Sequence, residues 1–196
     1  LLNIKEIEAS GEEQVTVSTS LYQALWSNKG GVLRSWKLHQ HKNELDEDLD
    51  LIPKFTKNVG IFPFSLLDDS PETAKAGLAG IASSPYNSAF YKVTGMSHNI
   101  KDGEKAEIRF EYSDGKELEI EKIFTFYGGR YDFDISIIIR RNGQPVEPRV
   151  LWGPGIGNPS EAELKQSFSA ESGVTVFASN NIYRLVEDAK KYKPEG

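Results

Sequence analysis

The chain has 196 residues, 38% of them hydrophobic, which is enough for one large domain with a substantial core. Its 29 acidic against 23 basic residues leave a formal charge of -6, which argues against nucleic acid as a partner, since phosphate recognition calls for clustered Lys and Arg on one face. With no cysteine there is no disulfide, thiolate nucleophile or cysteine-held metal, and no apolar run approaches the roughly 20 residues that cross a bilayer.

Taken in chain order, the pattern is that of strands. Val15 and Val17 alternate with Thr16 and Ser18, and 22–26 form a second β-rich run. A turn at Asn28-Lys29-Gly30-Gly31 leads into 32–38. There Val32, Arg34, Trp36 and Leu38 share one expected face, with Leu33, Ser35 and Lys37 opposite. Further strands are expected at 61–67 and 90–94. Between them, 70–88 is rich in Gly, Ala, Ser and Pro and reads as a surface loop, with a helical turn at Ser70-Pro71-Glu72.

Four dipeptides then punctuate the chain: Asp102-Gly103, Asp114-Gly115, Gly128-Gly129 and Asn142-Gly143. Such pairs favour two-residue hairpin loops, because both central positions need positive φ, and they predict an antiparallel meander. Ala106, Ile108, Phe110 and Tyr112 share one face of its first strand. Leu118, Ile120, Phe124 and Phe126 share one face of the next, with Lys122 in that apolar stripe and Ile123 outside it, the pattern of a bulge or a second covered face. Tyr131, Phe133, Ile135, Ile137 and Ile139 alternate along the third. With strands at 174–178 and 182–186 the total is roughly a dozen, more than one open sheet holds without splitting, so an all-β sandwich is expected.

Chemistry-bearing patterns are few. The acids Glu44, Asp46, Glu47, Asp48 and Asp50 allow a calcium or basic-partner site, but a solvated loop of mutually repelling acids is the reading adopted, since the calcium-loop pattern of alternating acids around a central glycine is absent. His39 and His41 stand two apart, on one face if the strand over 32–38 continues that far, a spacing that can hold zinc, yet no third ligand is evident. Solvent-facing histidines are the plainer reading. His98 stands alone. Gly153, Gly155 and Gly157 follow Trp152 without the Gly-Lys-Ser/Thr or βαβ context of a phosphate loop, and read as a chain reversal before a short helix boxed by Ser160 and Glu163. No Gly-x-Ser-x-Gly elbow occurs, and sequence selects no carboxylate pair for glycoside hydrolysis. Trp26, Trp36 and Trp152 are either recognition platforms or sheet packing. No catalytic, cofactor or metal residue is assigned. Trp36, Trp152 and 70–88 are where a partner contact is sought.

Several stretches, in order, resemble the large extracytoplasmic domain of the YidC branch of the YidC/Oxa/Alb membrane-protein insertases: 15–38 with its Ser27-Asn28-Lys29-Gly30-Gly31 turn, 118–133 with Lys122-Ile123-Phe124-Thr125-Phe126 and Arg130-Tyr131-Asp132-Phe133, Leu151-Trp152-Gly153-Pro154-Gly155-Ile156-Gly157, and Lys190-Lys191-Tyr192-Lys193. Residues 42–88 carry little of it. The resemblance implies an all-β supersandwich of antiparallel sheets, akin to galactose mutarotase, with a short C-terminal helix. It also implies a noncatalytic domain at the periplasmic face of the bacterial inner membrane, partnered by nascent membrane proteins and Sec translocon subunits of the SecDF and SecYEG kinds.

The expected organisation is a linker over 1–13 from a membrane segment, the sandwich over 14–187, and a helix or linker over 188–196 toward a membrane core. No signal-peptide pattern is visible, and a start at Leu1 without methionine suggests a piece of a longer chain. A carbohydrate-binding or mutarotase-like sandwich is the alternative, and its chemistry would need a histidine set beside a carboxylate.

Overall fold

A computed structural model describes 4–153 except 44, 55, 69 and 96, together with the backbone of 174–178 and 181–185. The chain divides into two compact units, 1–158 and 159–196.

The first unit opens with β1 (Gln14–Ser18), β2 (Tyr22–Ser27), β3 (Val32–Lys42) and β4 (Asp48–Asp50). After α1 (Thr56–Val59) come β5 (Ser65–Leu66), α2 (Pro71–Ser83), α3 (Pro85–Ser88), β6 (Lys92–Thr94) and β7 (His98–Asn99). The meander follows as β8 (Lys105–Ser113), β9 (Leu118–Tyr127), β10 (Phe133–Arg141) and β11 (Gln144–Val146), then β12 (Val150–Leu151). One sheet has the order β4-β3-β2-β1-β7 and the other β11-β10-β9-β8-β6, while β12 pairs with β5. All these pairings are antiparallel except β1 with β7. In the second unit β13 (Val174–Ala178) pairs with β14 (Asn181–Leu185).

The inner faces of the two large sheets meet around Trp26, which is fully buried. Its ring lies 4.2 Å from Phe124, 5.8 Å from Phe126 and 6.3 Å from Phe110, so residues of β2, β8 and β9 share one aromatic core. Burying such side chains contributes about 1.5–3 kcal/mol each, which makes this face the main source of stability.

Several expectations are corrected by the structure. The face assigned to 32–38 fails at Arg34, because Trp26 pairs with Leu33 while Leu25 pairs with Ser35. The extra residue is a β-bulge, and it lets both Leu33 and Trp36 reach the core while Arg34 faces outward. Of the two readings at Lys122 and Ile123 the bulge does not occur: β9 pairs in unbroken register with β8 and β10, the lysine is buried at 0% exposure and Ile123 is half-buried on the other face. The strand expected over 61–67 shrinks to β5, because the chain turns at Phe64, whose φ is 71°.

The loop expected over 70–88 is largely helical. Ser70 accepts a hydrogen bond from Thr73 N, Pro71 opens the helix, and alanines carry it on, while Gly77 at φ 58° kinks it.

Of the four turn dipeptides, Asn142-Gly143 alone has positive φ at both positions, 53° and 73°, and closes the two-residue hairpin between β10 and β11. Asp114 instead accepts from the backbone N–H of Lys116, Glu117 and Leu118, making a longer loop. Gly128 is not in the left-handed region, but a Cβ there would meet Lys101 O at 1.9 Å. The Asp102-Gly103 turn carries the chain from one sheet to the other. Ahead of β1, Ile7 exchanges backbone hydrogen bonds with Ser113, so part of the 1–13 segment runs against β8.

Candidate functional site

The bulge at Arg34 sets the rotation of Trp36, and β10 supplies its partner. Trp36 stacks on Tyr22 at 4.2 Å and on Phe133 at 5.2 Å. The β5–β12 pairing, extended by hydrogen bonds from Phe64 N to Leu151 O and from Leu67 N to Arg149 O, brings Trp152 edge-on to Phe64 at 5.3 Å. Phe64 in turn meets Phe133 edge-on at 5.8 Å.

Between these rings opens an apolar groove of about 330 Å³, floored by Leu33, Leu51 and Ile52 and rimmed by His41 and Tyr131. Tyr131 is 42% exposed, its hydroxyl 3.3 Å from Gln40 Oε1. The indole Nε1 of Trp152 is buried without a hydrogen-bond partner among the described residues. A concave, aromatic, mostly pre-formed surface of this size takes a few apolar side chains.

Trp36 and Trp152, the two tryptophans singled out from the sequence, converge here, while Trp26 is core. Among the described residues the 70–88 segment contributes nothing to the groove; Asn87 instead exchanges hydrogen bonds with Leu66 N and O at 2.8 Å, fastening α3 to β5. The sequence did not flag Phe133, which lines the groove, or Phe64, whose ring backs Phe133 and Trp152.

The histidines do not form one site. His41 lines the groove, whereas His39 lines a polar concavity of about 1010 Å³ on the outer face of the first sheet. There its Nδ1 lies 2.8 Å from Asp48, which Lys42 also contacts at 2.7 Å. The hydrogen bonds from Lys42 and His39 hold the Asp48 carboxyl below its ordinary range. Asp50 accepts from Ser35 Oγ, Trp36 N and Ile52 N. Two acids of the 44–50 run thus secure the β3–β4 edge, and among the described residues no three His, Asp or Glu gather as metal ligands. His98 Nε2 is buried without a partner among the described residues. The glycines after Gly153, the Ser160–Glu163 box and the terminal basic helix lie outside the described residues.

Residues 14–191 match the family model described as the YidC periplasmic domain. The chain belongs to this family. Curated relatives called membrane protein insertase YidC agree: that of Methylobacillus flagellatus is 30% identical over 146 residues, 71% of this chain and 24% of the relative. That of Syntrophus aciditrophicus is 30% identical over 134 residues (64% and 22%), and that of Endomicrobium trichonymphae 29% over 181 (90% and 28%).

The YidC periplasmic domain therefore spans about a quarter of the length of these relatives. Insertases of this family are not a class of catalytic enzymes. Among the described residues, no helix is long and apolar enough to cross a membrane. Two of the stretches that carry the resemblance, the Asn28–Gly31 turn and Lys122–Phe126, meet inside the core, where Lys122 Nζ donates to Gly30 O at 2.6 Å.

Proposed function

We propose that this YidC periplasmic domain serves an inner-membrane insertase as a noncatalytic appendage on the periplasmic side, its ends leading toward membrane segments. Its apolar groove receives side chains of a nascent membrane protein, alone or beside Sec translocon subunits of the SecDF and SecYEG kinds. The observation that carries this reading is the open aromatic groove of Trp36, Phe133 and Trp152. Beside it, β10 pairs with β11 only over Ile139–Arg141. Among the described residues, the same edge of 133–138 has no strand partner, and an extended client segment adds there through its backbone while alternate side chains enter the groove.

The test places a photo-activatable phenylalanine analogue at Tyr131 of the whole insertase during synthesis of a membrane protein, with Lys116 as the remote control position. Adducts to the nascent chain from position 131 and not 116 are expected. Adducts to Sec subunits alone, or equal labelling from both positions, would refute the groove as a client site.

A further inference from the structure

Among the described residues Lys122 is the one lysine in the apolar core, and its surroundings are built for an ammonium. Nζ donates to Gly30 O at 2.6 Å, to Phe64 O at 2.7 Å and more weakly to Gly31 O at 3.4 Å, so its three N–H donors face three carbonyls. One clasp thereby ties β9 to the β2–β3 turn and to the turn before β5. At that last turn Phe64 holds a left-handed backbone with φ 71°, a conformation that strains any bulky residue by about 1–3 kcal/mol and persists only where its surroundings enforce it. The Phe64 ring is what Trp152 and Phe133 lean on, at 5.3 and 5.8 Å.

We infer that Lys122 is a positioning residue for the groove: its ammonium, by holding the carbonyl of Phe64, fixes the aromatic wall of Trp152 and Phe133, and loss of its proton loosens that wall. The inference rests on the groove being the binding site. A neutral amine has two N–H donors and a lone pair, so one of the facing carbonyls must lose its donor. Burial brings this change into the physiological range by pushing the amine down to about 7.

The titratable side chain facing Nζ is Tyr91, its ring 5.4 Å away and its hydroxyl donating to Tyr86 O. Burial raises the Tyr91 phenol well above its ordinary value, so it stays neutral; Tyr112 lies behind it with ring centroids 5.5 Å apart. Arg109 and Glu121 pair with each other on the outward face of the sheet. On the groove side the titratable groups are His41 and Tyr131.

The test uses the 196-residue chain with His41→Gln, which removes the histidine of the groove. NMR follows Lys122 Nζ and the Trp152 indole N–H from pH 5.5 to 9, and fluorescence follows binding of the apolar dye N-phenyl-1-naphthylamine. The indole resonance is expected to move with the midpoint of Lys122, and dye affinity to fall by about tenfold above it, the equivalent of one good hydrogen bond. Lys122→Met is expected to bind the dye about tenfold more weakly at pH 6, with a flat pH profile. An indole that stays put while Lys122 titrates, or a Lys122→Met protein that keeps the parent's affinity and profile, would overturn the inference. The resonances need no client, so they report on the clasp even if photo-crosslinking finds no nascent chain.

Discussion

Gly31 packs against Lys122: a Cβ on Gly31 would just touch Lys122 Cδ at 3.4 Å and press on Phe110 Cβ at 3.2 Å, at a φ of 56°. Gly30 is tighter still, since its Cβ would meet Asn87 O at 2.7 Å with φ at 74°. The turn therefore brings two carbonyls to the ammonium only because both positions lack side chains.

Substitution at this turn should rank by that geometry. Gly30→Ala meets rigid backbone and adds left-handed strain of about 1–2 kcal/mol to overpacking of about 1–3 kcal/mol, so a loss of about 2–5 kcal/mol is expected. Gly31→Ala meets side chains that can give by a few tenths of an ångström, and should lose less. Urea unfolding of the two variants measures the difference, and equal losses would contradict the ranking.

Replacing Lys122 with Met removes a charge whose burial opposes folding, but it leaves Gly30 O and Phe64 O without their donor at about 1–3 kcal/mol each. A net loss of about 1–3 kcal/mol is expected, small enough to leave a cooperative fold. The pH dependence carries a separate sign. Below about 7 folded and unfolded states both hold the proton, so the full cost of burying the charge stands. Between that value and the ordinary 10.5 only the unfolded state holds it, and stability gained through this group rises by about 1.4 kcal/mol per pH unit. Buried tyrosines oppose this near pH 10, so the rise should be read between pH 7 and 9. Urea unfolding across that window should show a slope that Lys122→Met abolishes; the same slope in both proteins would assign it elsewhere.

Much of this fold could be read locally. Asn142-Gly143 dictates its own hairpin because both φ values belong to the dipeptide, and the β8–β9 alternation survives because nothing interrupts the register. Arg34 could not be placed, since a bulge is a relation between two strands, and the expected alternation of 32–38 held only beyond it. Lys122 lay in plain view between Ile120 and Phe124, but its burial depends on carbonyls from Gly30 and Phe64, far away in sequence. The signal was its parity: a cation on the apolar face of an unbroken strand needs acceptors nearby. For the groove, composition offered Trp36 and Trp152 but not Phe64 behind them, whose ring backs Trp152 and Phe133 and whose position depends on a turn where a strand was expected.

The three tryptophans should separate by what they touch. Trp26→Ala opens a cavity among Phe110, Phe124 and Phe126 and should cost about 3–5 kcal/mol in urea unfolding. Trp152, partly exposed at the groove, should cost less in stability on replacement by Ala, yet weaken naphthylamine dye binding by about tenfold, since an aromatic anchor in a pocket carries more than 1 kcal/mol of affinity. A Trp152→Ala protein that binds the dye unchanged would remove the groove from consideration.

Asp50 links the edge of the first sheet to the same wall. Its carboxylate accepts from Trp36 N at 2.9 Å, from Ile52 N at 3.0 Å and from Ser35 Oγ at 2.6 Å, and both Trp36 and Ile52 line the groove. Asp50→Ala strands two backbone donors and a hydroxyl that are only partly reachable by water, and a loss of about 2–3 kcal/mol is expected, near the upper range for one charged acceptor. Asp50→Asn keeps one acceptor oxygen and should recover about half of that loss. Amide hydrogen exchange at Trp36 and Ile52 gives the local readout: both should exchange faster in Asp50→Ala than in Asp50→Asn, with the β8–β9 amides unchanged. Equal acceleration throughout both sheets would show that Asp50 stabilises the whole domain rather than this edge.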